Sequence, residues 1–195
     1  MESLEELLTK AETAHGHLCA GQILGVRMAM LALARLGIED PCGADRKRLV
    51  TFVEIDRCAT DAIALVTGCR LGKRTLKFRD WGKMAATFVD LTTGRALRVV
   101  ALESSRELAQ ALYPHVEGKG KQQMLAYREL ADEQLFREQW VKVSVDPGEL
   151  PGQRGDRQIC PRCGEGVNFG RFEEVAGEKL CLSCARPGVR YWQPE

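Results

Sequence analysis

The apolar positions at the start of the chain follow a helical period. Leu4, Leu7 and Leu8 recur at spacings of three and four residues, which predicts a short amphipathic helix. A second apolar stretch, broken by few polar residues, runs from about residue 20 to residue 36, and Gly37 is its expected end. The pattern therefore predicts two consecutive helices near the N-terminus.

The second predicted helix carries small residues at four-residue intervals, at Gly21, Gly25 and Ala29. A face of small residues lets another backbone approach closely, so tight packing within the fold is its structural interpretation. The same face would also suit contact between two copies of the chain. The sequence alone leaves both uses open.

The pattern changes to strands in the middle of the chain. Residues 49–55 (LVTFVEI) are rich in β-branched and apolar side chains on both faces, which predicts a central strand. Residues 57–67 predict a helix that Gly68 ends. Three further strands are predicted over residues 76–78, 85–91 and 96–101, with a hairpin turn at residues 92–95.

Two more helices and a last strand complete the predicted core. Ser104 and Glu107 form a capping box for a helix that Pro114 ends. Apolar residues over 121–139 predict a longer helix, and residues 141–145 alternate as in a half-buried strand. This order of elements predicts an α+β core with an antiparallel or mixed sheet.

Composition then suggests where the core ends. The segment 147–158 holds two prolines and three glycines and has one large apolar residue, which is typical of a linker. We therefore expect a core over residues 1–146 and a small C-terminal module over residues 159–195. With 195 residues and 45% hydrophobic content, the chain is long enough to bury one sizeable core.

The net charge and the N-terminal sequence indicate which partners and which location to expect for the protein. The 28 basic and 27 acidic residues leave a net charge of +1, so the whole molecule has no field that would hold a polyanion nonspecifically. The N-terminus has no basic n-region, and the stretch 23–36 is interrupted by Arg27 and Arg35. We expect a cytoplasmic protein without a membrane span, in which eight cysteines serve as thiols or metal ligands.

Four of these cysteines form two matched pairs. Cys160 and Cys163 make one Cys-x2-Cys pair, and Cys181 and Cys184 make another after seventeen intervening residues. This spacing is typical of a four-cysteine zinc site, and a module of this size needs the metal in order to fold. The cysteine pairs and the residues beside them resemble zinc fingers of the DksA/TraR type, which serve transcription factors. The motif predicts a structural zinc ion but does not indicate the function of the finger.

The segment HGHLCAG, residues 15–21, is the second candidate site. Cys19 stands at the start of the second helix and Cys58 in the first turn of the helix after residues 49–55, where helix dipoles favour thiolate. With His17 they would give three ligands and an open coordination position for a second metal ion of unknown identity. The alternatives are a packed turn with inert thiols and a metal-free pair of nucleophilic thiols.

The order of several motifs identifies the chain as resembling the FmdE family, which is named after the formylmethanofuran dehydrogenase operon. These motifs are HGHLCAG, Gly25-Val26-Arg27-Met28, Cys58-Ala59-Thr60-Asp61-Ala62, Thr67-Gly68-Cys69 with Gly72-Lys73, and Gly82-Lys83-Met84-Ala85. They run from about residue 13 to residue 90, and many members also carry the C-terminal finger. Ala20 departs from the usual proline but removes no metal ligand.

The resemblance implies an α+β core, an intertwined homodimer and a cleft lined by histidine and cysteine. Its cleft residues are His17, Cys19, Cys58 and Cys69, with His15, Asp61, Lys73 and Lys83 as neighbours. Cys69 is expected close to the metal ligands as a fourth ligand or a redox-active thiol. Cys69, Asp61 and Lys83 are the candidate catalytic residues.

Two functions follow from these features. The leading one is a metal-binding accessory subunit or small enzyme of molybdenum or tungsten redox metabolism of the formylmethanofuran dehydrogenase type, with such an enzyme or another protein as partner. The alternative is a metal- or ligand-sensing adaptor whose finger binds nucleic acid or protein. Five basic residues could contact an anion or phosphate, although a solvated strand face is the favoured explanation: Arg70, Lys73, Arg74, Lys77 and Arg79.

Overall fold

The computed structural model describes residues 2–152, 155–186 and 188–192. The chain divides into two compact units, Met1–Ser144 and Val145–Glu195. The first unit contains the sheet and the long helices, and the second contains the four clustered cysteines. The mixture of helices and a mixed sheet confirms the predicted α+β class.

The first unit is built from six helices and five strands within the described residues. Its helices are α1 Leu4–His15, α2 Ala20–Leu36, α3 Cys58–Thr67, α4 Ser104–Leu112, α5 Lys119–Glu129 and α6 Asp132–Leu135. Its strands are β1 Leu49–Val53, β2 Leu76–Phe78, β3 Ala85–Asp90, β4 Ala96–Ala101 and β5 Phe136–Val141. Among the residues described, none of the helices has the length and apolar character that a bilayer span requires.

The five strands form one sheet in the order β2-β1-β3-β4-β5. The β1–β2 pair is parallel, and the other three pairs are antiparallel. The predicted central strand is β1, which lies between β2 and β3, and every residue of β3 is buried. The predicted hairpin joins β3 to β4, with Gly94 in the left-handed conformation at its turn.

Helix α2 is the central helix of the core. Eleven of its seventeen residues are buried, which fits its almost continuous apolar sequence, and Gly37 ends it in the left-handed conformation as predicted. Gly25 lies so close to α3 that a Cβ atom there would stand 2.4 Å from the carbonyl oxygen of Ala59. The small-residue face of α2 therefore packs within the chain.

The predicted long helix over residues 121–139 is wrong. The structure has α5, α6 and β5 in its place. Arg27 of α2 donates hydrogen bonds to the carbonyl oxygens of Tyr127 and Leu130, at the end of α5. These carbonyls are satisfied by a guanidinium group instead of a further helical turn, so the helix ends there.

Strand β5 covers residues that the sequence pattern assigned to a helix, and the predicted strand at 141–145 shares only its first residue with β5. The strand pairs with β4 along its whole length, from Phe136 opposite Ala101 to Val141 opposite Ala96. This pairing supplies backbone hydrogen bonds that outweigh the helix propensity of the glutamate and glutamine in the segment.

The second unit consists of short elements around the cysteines. They are the 3₁₀-helix Pro147–Glu149, β6 Gln158–Ile159, β7 Gly166–Val167, β8 Phe172–Val175, β9 Glu178–Cys181 and α7 Leu182–Ala185. Strands β6 and β7 form one hairpin, and β8 and β9 form another. The buried cluster of its described residues is Leu180 with three cysteines, which is too small a core to fold the unit without further stabilisation.

Candidate metal centre and zinc finger

A four-residue loop, residues 16–19, between α1 and α2 positions the HGHLCAG segment. Helix α1 ends at His15, because Gly16 adopts φ +90° and donates its N–H to the carbonyl oxygen of Glu12 at 2.8 Å. Cys19 is the N-cap residue of α2, with extended backbone, and its sulfur makes no capping hydrogen bond. The end of α1 and this loop therefore place His15 and His17 close to Cys19.

His15, His17 and Cys19 form a cluster of metal-ligand atoms. Each offers one ligand atom, and these atoms lie within 4.8 Å of one another. The two imidazole rings are 4.9 Å apart between centroids and tilted by 46°. His17 is exposed, while His15 and Cys19 are half-buried, so the cluster is accessible to ions from solvent.

Asp61 of α3 contacts this cluster from the side. Its Oδ2 lies 3.1 Å from Nδ1 of His15. A carboxylate at Nδ1 favours the tautomer that carries its proton there, which leaves Nε2 as the metal-ligand atom. The family resemblance makes Asp61 a candidate catalytic residue, and the structure gives it a contact that orients His15.

Cys58 is the first residue of α3 and faces Cys19. A Cβ atom on Gly21 would lie 3.3 Å from Cβ of Cys58 and 3.7 Å from Sγ of Cys19, so the glycine leaves both cysteines room. Gln22 donates its Nε2–H to the carbonyl oxygen of Cys58 at 2.8 Å, which holds the start of α3 against α2. The structure therefore places Cys58 beside Cys19, but the ligand atoms that lie within 4.8 Å of one another are those of His15, His17 and Cys19, and Cys58 is not among them.

The environment of Cys58 opposes the thiolate that its helix position predicts. Burial raises the pKa of the Cys58 thiol, and a hydrogen bond with the Cys19 side chain and the charge of Cys19 raise it further. These effects outweigh the N-terminal dipole of α3. The expectation that the free thiol favours its ionised form is wrong for Cys58.

The structure does not bring Cys69 to this cluster. Helix α3 separates Cys58 from Cys69, and ten residues of helix span about 15 Å. Cys69 is buried, with Sγ 3.5 Å from Oγ1 of Thr51 and 3.8 Å from the carbonyl oxygen of Leu49. The expectation that Cys69 lies beside the metal ligands, as a fourth ligand or reactive thiol, is corrected to a packed core residue.

The candidate lysines make other contacts. Lys83 is exposed, and its Nζ lies 5.6 Å from the centroid of the Trp81 ring. Lys73 is exposed in the turn before β2. The structure thus gives neither lysine a place among the ligand atoms of the cluster.

The five basic residues between Arg70 and Arg79 do not form one solvated face. Arg70 donates hydrogen bonds to the carbonyl oxygens of Ala64 and Cys69, near the end of α3. Lys77 is 8% exposed, and the Arg79 guanidinium lies 5.4 Å from the Phe52 ring centroid. Several of these cations therefore support the fold.

The four C-terminal cysteines converge in the second unit. The ligand atoms of Cys160, Cys163, Cys181 and Cys184 lie within 4.8 Å of one another. The first pair sits at the β6–β7 turn, where Gly164 at φ +74° donates its N–H to the carbonyl oxygen of Cys160 at 2.9 Å. The second pair is at the end of β9 and in α7, so two hairpins deliver the four sulfurs.

Neighbouring groups shift the pKa values of two of these sulfurs in opposite directions. Hydrogen bonds from the backbone N–H groups of Cys181 and Cys163 lower the pKa of Cys160 to about 6. The Cys181 side chain and burial raise the pKa of Cys184 to about 12. Several thiolates cannot form this close together without a cation, and four converging sulfurs match the ligand set of a structural zinc site.

Family models match segments of both units of the chain. The model of the family described as FmdE, molybdenum formylmethanofuran dehydrogenase operon, matches residues 14–142. The model of the prokaryotic dksA/traR C4-type zinc finger matches residues 155–187.

A solved structure and a curated protein are similar over nearly the whole chain. The crystal structure of a tungsten formylmethanofuran dehydrogenase FmdE-like protein from Syntrophus aciditrophicus has a TM-score of 0.65 and 26% identity, covering 98% of this chain and 96% of that one. A probable S-adenosyl-L-methionine-binding protein from Archaeoglobus fulgidus is 30% identical over 93% of this chain. The match covers 53% of that relative, so the chain spans about half its length.

Two observations support a zinc-binding site in the finger. The four cysteine sulfurs converge, and their segment matches a C4-type zinc finger. The match to the first model covers most of the α+β unit, including the HGHLCAG loop and α3. The chain belongs to the FmdE family.

Proposed function

We propose that His15, His17, Cys19 and Cys58 bind one metal ion in the core, and that the chain is a metal-binding protein of molybdenum or tungsten redox metabolism. The observation that carries the proposal is the convergence of His15, His17 and Cys19 within 4.8 Å. Cys58 completes the set because it faces Cys19 across Gly21.

The ligand types define the class of metal. Imidazole nitrogen and thiolate sulfur suit zinc, iron, nickel or copper better than magnesium or calcium. His17 is exposed and the loop that carries it is short, so a bound ion would keep access to solvent and to a small ligand. Such access is typical of a catalytic or ligand-binding ion, in contrast to the enclosed finger.

The biological role is either that of an accessory subunit or that of a small enzyme. The family description and the name of the solved relative both refer to formylmethanofuran dehydrogenase, which supports a link to an enzyme of that type. We propose that the chain works with such an enzyme, as a homodimer. A tagged full-length chain should then co-purify with a molybdenum or tungsten enzyme, whereas specific binding to DNA at 150 mM salt would favour the adaptor function instead.

Metal counting tests the core site directly. We expect the full-length chain, purified and reconstituted without oxygen with zinc, iron or nickel, to hold about two metal ions. The double variant His17→Ala with Cys58→Ser should hold about one, since the finger keeps its zinc. Cys42→Ser is the matched control, because this exposed cysteine lies outside both clusters, and it should keep two.

The same count can overturn the proposal. A wild-type chain that holds one ion after reconstitution with each metal, and loses it only when the finger cysteines are changed, has no core metal site. The HGHLCAG segment would then be a thiol site or a packed turn.

A further inference from the structure

Close packing of α2 on α3 brings the starts of the two helices together. At Gly25 a Cβ atom would lie 2.4 Å from the carbonyl oxygen and 2.8 Å from Cα of Ala59, distances that no side chain could occupy. Gly21, one turn earlier, leaves the next gap along the same interface. Cys19 is the N-cap residue of α2 and Cys58 is the first residue of α3, and the two stand on either side of that gap.

The two thiols therefore form a pair. The Cβ position of Gly21 is 3.7 Å from Sγ of Cys19 and 3.3 Å from Cβ of Cys58, so no side chain at this position separates the two cysteines. Both cysteines are half-buried, which leaves them accessible to small molecules. The thiol of Cys42, by contrast, contacts the carbonyl oxygens of residues 65 and 66, near the opposite end of α3.

We propose that Cys19 and Cys58 are a dithiol pair that a peroxide oxidises to a disulfide, and that this bond removes both sulfurs from the core metal site. The disulfide depends only on the geometry of the two thiols. The release of metal rests on the proposed function, in which both sulfurs are ligands.

The oxidation balances with hydrogen peroxide as the oxidant. The sulfur of one cysteine attacks the O–O bond, which gives a sulfenic acid and one water. The sulfur of the second cysteine then displaces the hydroxyl group, forming the S–S bond and a second water. Two thiols lose two electrons and two protons in total, the peroxide is reduced to two waters, and a dithiol reductant reverses the reaction.

The consequence for the metal follows from ligand chemistry. Thiolate is the form of cysteine that binds these metals, and a disulfide sulfur carries no such charge. His15 and His17 alone would remain as ligands after oxidation, which is half of the proposed set. The core ion should therefore leave on oxidation and rebind after reduction.

Peptide mapping of the full-length protein tests the bond. After peroxide treatment, alkylation under denaturing conditions and trypsin digestion, we expect peptides 11–27 and 58–70 to be linked, with a mass two hydrogens below the sum of the reduced peptides plus one alkyl group on Cys69. Peptide 58–70 also holds Cys69, so the variant Cys69→Ser identifies the partner by keeping the link. Cys58→Ser should abolish the link, and the matched control Cys42→Ser should retain it.

Each outcome decides one part of the proposal. If peroxide modifies the exposed Cys42 while Cys19 and Cys58 remain unlinked, the dithiol pair is wrong. If the link forms but the metal content stays at two ions per chain, the redox release is wrong. A chain that holds only the finger zinc before oxidation overturns the proposed function, and the peptide assay still decides the disulfide in that chain.

Discussion

Asp61 shows how one exposed carboxylate can control a metal ligand. Its side chain is 67% exposed, so its contact with Nδ1 of His15 contributes little to folding. The contact orients the ring and fixes which nitrogen faces the cluster. We expect Asp61→Asn to weaken binding of the core metal ion by roughly 10- to 100-fold, as the loss of a carboxylate that orients a ligating histidine does, with an unchanged unfolding midpoint. Competition against a chromophoric chelator measures the affinity.

The matched control for this change is Asp56→Asn, which removes an exposed carboxylate just before α3. It should leave the affinity of the core site unchanged. Equal affinities for all three proteins would show that the Asp61 contact is an incidental surface pair.

Asp90 offers a second test at the residue scale, away from the metal sites. Burial raises the pKa of this carboxyl, but hydrogen bonds from Arg48, from the N–H of Thr92 and from the hydroxyl of Thr93 outweigh burial and lower it. A folded-state pKa below the unfolded value means that the ionised group stabilises the fold above that value, about 3.9. This stabilisation is lost as the pH falls through the folded-state pKa.

We therefore expect Asp90→Asn to lower the free energy of unfolding by about 3 kcal/mol at pH 7, because it leaves Arg48 without its buried partner. The difference from the wild type should shrink as the pH falls below about 4. Urea unfolding followed by circular dichroism at pH 7 and at pH 3 measures both effects. If the two proteins differ in free energy of unfolding by the same amount at both pH values, the stabilising role of the ionised Asp90 carboxylate is contradicted.

Local spacing predicts part of the core site, and tertiary contacts supply the rest. His17 and Cys19 could be recognised because they are two positions apart, whereas the contact of His15 with Asp61 spans 46 positions. The family resemblance alone assigns Cys69 to the site. The predicted helix over residues 57–67 already implies a separation of about 15 Å between Cys58 and Cys69, which argues against one shared site.

At the scale of elements, the glycines of α2 set the geometry of the site. A Cβ atom at Gly25 would lie 2.4 Å from the carbonyl oxygen of Ala59, and backbone cannot move away as a flexible side chain can. We expect Gly25→Ala to lower the free energy of unfolding by about 1–3 kcal/mol, as overpacking does. It should also weaken the core metal site, because it displaces the start of α3 and with it Cys58.

Gly120→Ala is the matched control, since Gly120 is also in a helix but a Cβ atom there meets no atom within 4 Å. This change should be neutral or stabilise the protein by about 0.5–1 kcal/mol, because alanine is the better helix former. Denaturant unfolding and metal affinity, measured on both variants, separate the steric effect from helix propensity. Equal free energies of unfolding and equal metal affinities for the two variants would contradict the close contact between Gly25 and Ala59.

The elements of the first half of the core could be predicted because their patterns are local. Helix α2 begins and ends within a residue of the prediction, since an apolar run and a terminal glycine define it. The prediction over residues 121–139 is wrong because the end of that helix depends on Arg27, about a hundred positions away. When a distant guanidinium group determines where a helix ends, the sequence of the helix itself does not indicate that end.

At the scale of the whole molecule, the association of two copies remains a prediction. The resemblance implies a homodimer, but Gly21 and Gly25, which could have served a contact between copies, face α3 of the same chain. A dimer would therefore have to use other surfaces. Sedimentation equilibrium at micromolar concentration should give twice the chain mass of 21.7 kDa, and a single-chain mass would contradict the prediction.

The two units should also differ in their dependence on metal. The second unit buries Leu180 and three cysteines as its described core, so the zinc–sulfur bonds must replace the missing apolar contacts. The first unit has a continuous apolar core around α2 that needs no ion. We expect the double variant Cys160→Ser with Cys181→Ser to lose one zinc per chain and to expose residues 155–190 to protease, while the first unit stays folded.

Elemental analysis and limited proteolysis of the full-length variant measure both effects, with Cys42→Ser as the control that keeps its zinc. The physical reason is that four converging sulfurs repel one another as thiolates, in line with the pKa of the Cys184 thiol, which the Cys181 side chain and burial raise. A chelator should produce the same protease pattern in the wild type, since removing the ion leaves the same small core. Full zinc content in the double variant, or cleavage spread evenly over both units, would show that the four cysteines do not hold a structural ion.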